Sequence, residues 1–183
     1  MAKTMKGLAA AALVAAAAFT LLYRAGLAVL PLAVTFGTVA YHLGVRLIIG
    51  AAYNAVMGNR ADYTRRWYQP KVWEPKLYDL LGVRRWKSKM PTYAPEAFDP
   101  ARHSWYEIAQ AMCQSELVHE TNVIASFVPI LFSLWFGQLA VFIVTSVLAA
   151  AFDLVFVIVQ RYNRPTVIRI AQRAAQRQNI KTA

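Results

Sequence analysis

Residues 121–160 form a 40-residue stretch in which Asp153 is the only formally charged side chain. A bilayer's hydrocarbon core is spanned by about 20 apolar residues, whereas a straight helix of this whole stretch would be about 60 Å long. The stretch must therefore double back, and Gly137-Gln138 is the place where it can turn. Two further apolar stretches precede it. Residues 7–23 carry no charge and end at Arg24; residues 25–57 are interrupted only by Pro31, His42 and Arg46. The expected fold is an all-α membrane protein with about four transmembrane helices in two hairpins. The spans fall at about 7–23, 27–50, 119–136 and 139–160. An amphipathic, interfacial segment (58–115) joins the hairpins and a basic tail (161–183) closes a single membrane domain.

Composition agrees with this expectation. The chain is 58% hydrophobic and 16% charged, against roughly 45–50% and 25% in soluble domains. Cys113 is its one cysteine, which excludes an internal disulfide framework and a cysteine-only zinc site. No zinc-type His-Glu-x-x-His, glycine-rich phosphate loop or nucleophile elbow occurs, so no metal is expected. Lys3 and Lys6 before an alanine-rich core resemble a signal peptide. The apolar stretch nevertheless runs on through Phe19, Leu21, Leu22 and Tyr23, so this segment is expected to stay as a span.

The formal charge of +11 sets an orientation. Of the 20 Lys and Arg residues, all but Arg24 and Arg46 fall before the first span, in residues 58–115, or after the last span. With four spans, these 18 share one side. Cations mark the cytoplasmic side. Both termini and the middle segment are therefore expected there, with Arg46 snorkelling from near the cytoplasmic end of the second span.

The middle segment interleaves Trp67, Trp73, Trp86 and Trp105 with tyrosines and cations. Indole and phenol rings favour the headgroup layer, and Lys and Arg favour anionic lipid phosphates. Membrane lipid is thus the expected partner, and nucleic acid is not. Residues 73–83 (WEPKLYDLLGV) place Trp73, Leu77, Leu80 and Leu81 on one face of a short helix, with Pro75 in its first turn and Gly82 at its end. Arg84, Arg85, Lys87 and Lys89 follow, either as a solvated anchor or as a phosphate site. Farther on, Ser104 and Glu107 have capping-box spacing, so Glu107 is structural. The helix they start should run on into the third span, bent at Pro129.

Candidate chemistry lies where that helix enters the bilayer. Glu116 and His119 are three residues apart on one face, and a carboxylate beside an imidazole raises its basicity and fixes its tautomer. A turn at Gly137-Gln138 sets Asn122 opposite Asp153 and puts His119 about one helical turn from it. A buried intramembrane acid needs a partner, and His119 and Arg46 are both candidates for Asp153. His42, deeper in the second span, reads as a hydrogen-bonding packing residue. Cys113 is a weaker candidate, since an acyl-carrying thiol needs a base.

Three motifs follow in order: Trp73-Glu74…Leu77-Tyr78…Leu81-Gly82-Val83-Arg84-Arg85-Trp86-Lys87…Pro91; then Glu116-Leu117-Val118-His119; then Gln160-Arg161-Tyr162-Asn163-Arg164-Pro165. Together they resemble the glycosyl-4,4′-diaponeurosporenoate acyltransferase family, small bacterial membrane proteins, over about residues 70–170. The resemblance implies transfer of a fatty acyl group to a hydroxyl of a lipid-like, glycosylated isoprenoid acceptor at the cytoplasmic face of the plasma membrane. His119 would be the general base and Glu116 would orient it. Arg161, Asn163, Arg164, Trp73, Glu74, Arg84, Arg85, Lys87 and Asp153 are the candidate substrate- or donor-binding residues. The donor would be acyl-CoA or another acyl carrier, used as a co-substrate with no resident cofactor. The alternative reading is a non-enzymatic scaffold or anionic-lipid-binding subunit. A lipid methyltransferase is weaker still, lacking a recognisable nucleotide site.

Overall fold

The computed structural model describes the backbone of residues 2–182 and the side chains of residues 3–177. The side chain of Lys181, one of the cations counted above, lies outside the described residues. Helices dominate: α1 (Ala2–Arg24), α2 (Leu30–Met57), α3 (Glu74–Leu80), α4 (Val83–Trp86), α5 (Trp105–Ala125), α6 (Ser133–Phe136) and α7 (Leu139–Thr182). Among the described residues, four helical stretches are long and apolar enough to cross a membrane: Lys3–Arg24, Leu30–Met57, Trp105–Phe136 and Leu139–Arg177. The fold is all-α and the chain is a membrane protein.

The chain divides into two compact units. One comprises Met1–Ala52 with Val118–Leu154, and the other Tyr53–Leu117 with Val155–Ala183. The first turns a soluble protein inside out. Its exposed side chains include Leu13, Val14, Ile48, Leu134, Trp135 and Leu148, while Thr38, His42, Asn122, Ser126, Ser146 and Asp153 are buried. Lipid, unlike water, solvates apolar side chains and leaves polar ones to find partners in the protein. Two of these hydroxyls bond back along their own helices, Thr38 to the Val34 carbonyl at 3.0 Å and Ser126 to that of Asn122 at 2.8 Å, the usual way a hydroxyl is tolerated in a helix interior. That of Ser146 has no partner among the described residues.

Proline acts more strongly in this unit than the expected bend. The α-helix stops at Ala125, and Val128–Phe132 continue as a 3₁₀ turn containing Pro129. A proline ring clashes with the carbonyl four residues back and supplies no N–H to it; for Pro129 that carbonyl belongs to Ala125. The Tyr41 hydroxyl donates to this oxygen at 2.9 Å, so the break leaves no stranded acceptor. Gly137 (φ 63°, ψ −137°) and Gln138 (φ 54°) then make the turn into α7, where the apolar run was expected to reverse.

In the second unit, Ser104 and Glu107 form the capping box that their spacing predicts. The Ser104 N–H donates to Glu107 Oε2 at 2.7 Å, and the Glu107 N–H donates to Ser104 Oγ at 3.3 Å. Pro75 lies in the first turn of α3, and Gly82 follows it in the left-handed region at φ 59°. The residues expected as a basic tail continue α7 as far as Thr182. Cys113 is fully buried against Ala61 and Tyr68.

Candidate active site

In the first unit the chemistry gathers on Asp153, which α7 places out of reach of solvent. Oδ1 lies 2.8 Å from His119 Nδ1 and accepts from Asn122 Nδ2 at 3.3 Å. Oδ2 pairs with Arg46. That guanidinium also donates to the carbonyls of His42 at 2.5 Å and Ala149 at 2.8 Å. Arg46 therefore does not snorkel; its side chain is 9% exposed, and α2 turns it inward onto the acid. The two candidate partners of Asp153 are both realised, one on each oxygen. As a carboxylate Asp153 can only accept, so the shared proton belongs to Nδ1 and the basic lone pair to Nε2. The imidazole side chain is 21% exposed and Asp153 is not exposed at all, so of the two it is the ring that can meet a substrate. His42 packs edge-on against Tyr41 at 5.4 Å. The expected hydrogen bond of its ring is absent, since neither nitrogen has a partner among the described residues.

Glu116 is occupied differently. In the second unit it is fully buried, with Oε1 taken by Arg161 and Oε2 by Arg164. Arg161 also donates through Nε to Glu74 Oε1 at 2.9 Å, and Arg164 to the Tyr68 carbonyl. Glu74 Oε2 accepts from the Tyr78 hydroxyl at 2.9 Å. The result is a quartet of two buried carboxylates, one buried guanidinium (Arg164) and one part-buried guanidinium (Arg161). Burial and the hydrogen bond to Glu74 both push the Tyr78 phenol up. Burial pushes that of Tyr68 up to about 12, with Cys113 and Glu116 adding to the shift. The acid on His119 Nδ1 is thus Asp153, while Glu116 balances arginine charge.

The remaining sequence candidates separate. Lys87 donates to Asn163 at 2.5 Å and lies 4.6 Å from the Tyr162 ring centroid. Trp73 is 60% exposed beside buried Glu74. Arg84 and Arg85 line an open cleft with Tyr78, Trp86 and Tyr162. Sequence reasoning missed the two tyrosines. Both stand within the motifs, but no spacing rule marks an aromatic as a cleft wall.

The family model described as glycosyl-4,4′-diaponeurosporenoate acyltransferase matches residues 64–173. The chain belongs to this family. It is an acyltransferase of the carotenoid pathway, which decides for the enzyme over the scaffold. The match takes in His119, Asn122, Asp153, the charged quartet and the cleft of this acyltransferase, but not Arg46. No curated protein and no solved structure matches the chain.

Proposed function

We propose that this acyltransferase moves a fatty acyl group to a hydroxyl of a lipid-like, glycosylated isoprenoid acceptor, with His119 as general base. The observation that carries the proposal is the 2.8 Å contact between a part-exposed imidazole and a fully buried carboxylate. The role first given to Glu116 passes to Asp153. It holds Nδ1–H, which leaves Nε2 to take the acceptor hydroxyl's proton as its oxygen attacks the thioester or ester carbonyl carbon. The tetrahedral intermediate then collapses, the bond to the donor's sulfur or oxygen breaks, and the imidazolium returns the proton to that leaving atom. Asp153 stabilises the transient imidazolium, and Arg46 and Asn122 fix the carboxylate. The acyl chain dissolves in lipid, worth about 0.8 kcal/mol per buried methylene. The distribution of Lys and Arg supports a cytoplasmic face of a bacterial plasma membrane, with both termini inside.

Mass spectrometry of total lipids from cells producing wild type or His119→Gln at equal levels tests the reading. An acylated glycolipid present only with wild type is the expected result. The same product from His119→Gln would overturn the base assignment.

A further inference from the structure

Arg161 and Arg164 are the obvious seats for an anionic ligand in the second unit, yet their charge is already met. Each guanidinium contacts a buried carboxylate, and a ligand phosphate would have to displace it. Uncommitted positive charge lies elsewhere in the same unit. A cleft of about 700 Å³ is lined by Tyr78, Asp79, Arg84, Arg85, Trp86 and Tyr162, among others, a volume within the range of small-molecule sites. Arg84 and Arg85 are both exposed, and among the described residues neither forms an ion pair. Asp79 is one acid against two guanidiniums, so the lining stays net positive.

The walls are braced. The Trp86 indole N–H donates to the Leu81 carbonyl at 2.9 Å, fixing the ring. Tyr78 and Tyr162 meet edge to face at 5.3 Å. Tyr162 is backed in turn by the Lys87 ammonium, itself tied to Asn163. Guanidinium forks match phosphate oxygens in geometry as well as charge, and aromatic faces stack on planar bases.

We propose that this cleft binds a phosphoester-bearing ligand, with Arg84 and Arg85 holding the phosphate and Trp86, Tyr78 and Tyr162 forming the walls. Two sources share that chemistry: the nucleotide end of a coenzyme A thioester and the headgroup of an anionic phospholipid. Assigning the first as acyl donor rests on the reaction proposed above; the binding itself does not.

The full chain, purified in detergent, is titrated with desulfo-coenzyme A by calorimetry. Its retained phosphatidylglycerol and phosphatidylcholine are compared by native mass spectrometry. At least one probe, desulfo-coenzyme A or phosphatidylglycerol, should bind wild type and be weakened about tenfold or more in Arg84→Gln/Arg85→Gln. Arg84→Lys/Arg85→Lys should lose less, and Arg169→Gln, an exposed arginine outside the cleft, should bind as wild type. Saturable desulfo-coenzyme A binding assigns the nucleotide source; selective retention of phosphatidylglycerol alone assigns the lipid source. Binding of neither probe, equal binding by wild type and the double glutamine variant, or equal weakening by Arg169→Gln overturns the proposal. His119→Gln should bind both probes as wild type does. Acylated product from His119→Gln, with cleft binding intact, would then reject the catalytic base and leave the cleft standing.

Discussion

His119 and Asp153 differ in exposure, and the consequences of changing them differ accordingly. Asp153→Asn keeps the shape but no longer accepts on both oxygens, so the Nδ1 tautomer is no longer enforced. Acyl-product formation should fall by about 10²–10⁴-fold, measured on folded enzyme with substrate in excess. Asn122→Ala removes only the 3.3 Å bond and should cost far less. Glu116→Gln should fail by another route. It leaves buried Arg164 and part-buried Arg161 facing one fewer charge and should lower stability by about 3–5 kcal/mol. Thermal unfolding in detergent checks this, and adding Arg164→Met should restore part of the loss. The Tyr68 phenol titrates at about 12 in the fold against an ordinary 10.0. Its folded value is raised, so its contribution is complete below pH 10 and is lost as pH climbs through 12. Absorbance at 295 nm should show a late-ionising tyrosine, and the unfolding midpoint should fall across that window.

At the scale of elements, local chemistry was legible where one residue type has one use. Ser104 and Glu107 could be read as a cap three residues apart, and both reciprocal bonds form. Ser104→Ala should cost about 1 kcal/mol and leave activity intact, seen as a small drop in melting temperature. The reversal at Gly137-Gln138 was legible from length alone, since no straight helix of that stretch fits a bilayer. Gly137 takes a backbone conformation close to one reserved for glycine, so Gly137→Ala should cost about 1–3 kcal/mol by the same measurement. Pro129 shows the limit of local reading. A bend and a break differ in whether the freed Ala125 carbonyl finds a donor, and that donor, Tyr41, is 84 positions away in the sequence. The helical course of α7 beyond Arg161 was missed because cations after a span read as a tail. Buried carboxylates from distant segments claim the start of that stretch instead, at Arg161 and Arg164.

Across the whole molecule, the sequence showed which residues carry chemistry better than it showed how they pair. Helical spacing linked Glu116 to His119, whereas hairpin depth linked His119 to Asp153, and it is the second contact that the structure contains. Spacing along one helix cannot reveal that an acid is already claimed by arginines 45 and 48 residues later. Charge asymmetry makes its prediction at this scale. Alkaline phosphatase fused after Arg177 should be inactive in a bacterial host, and fused after Arg24 it should be active; the opposite pattern would reverse the orientation. The quartet of Glu74, Glu116, Arg161 and Arg164 has a further consequence for how the chain is made. Both acids leave the ribosome before either arginine does, so each guanidinium meets a counterion already synthesised. A polypeptide truncated ahead of Arg161 would instead be left holding two carboxylates that no later segment arrives to neutralise.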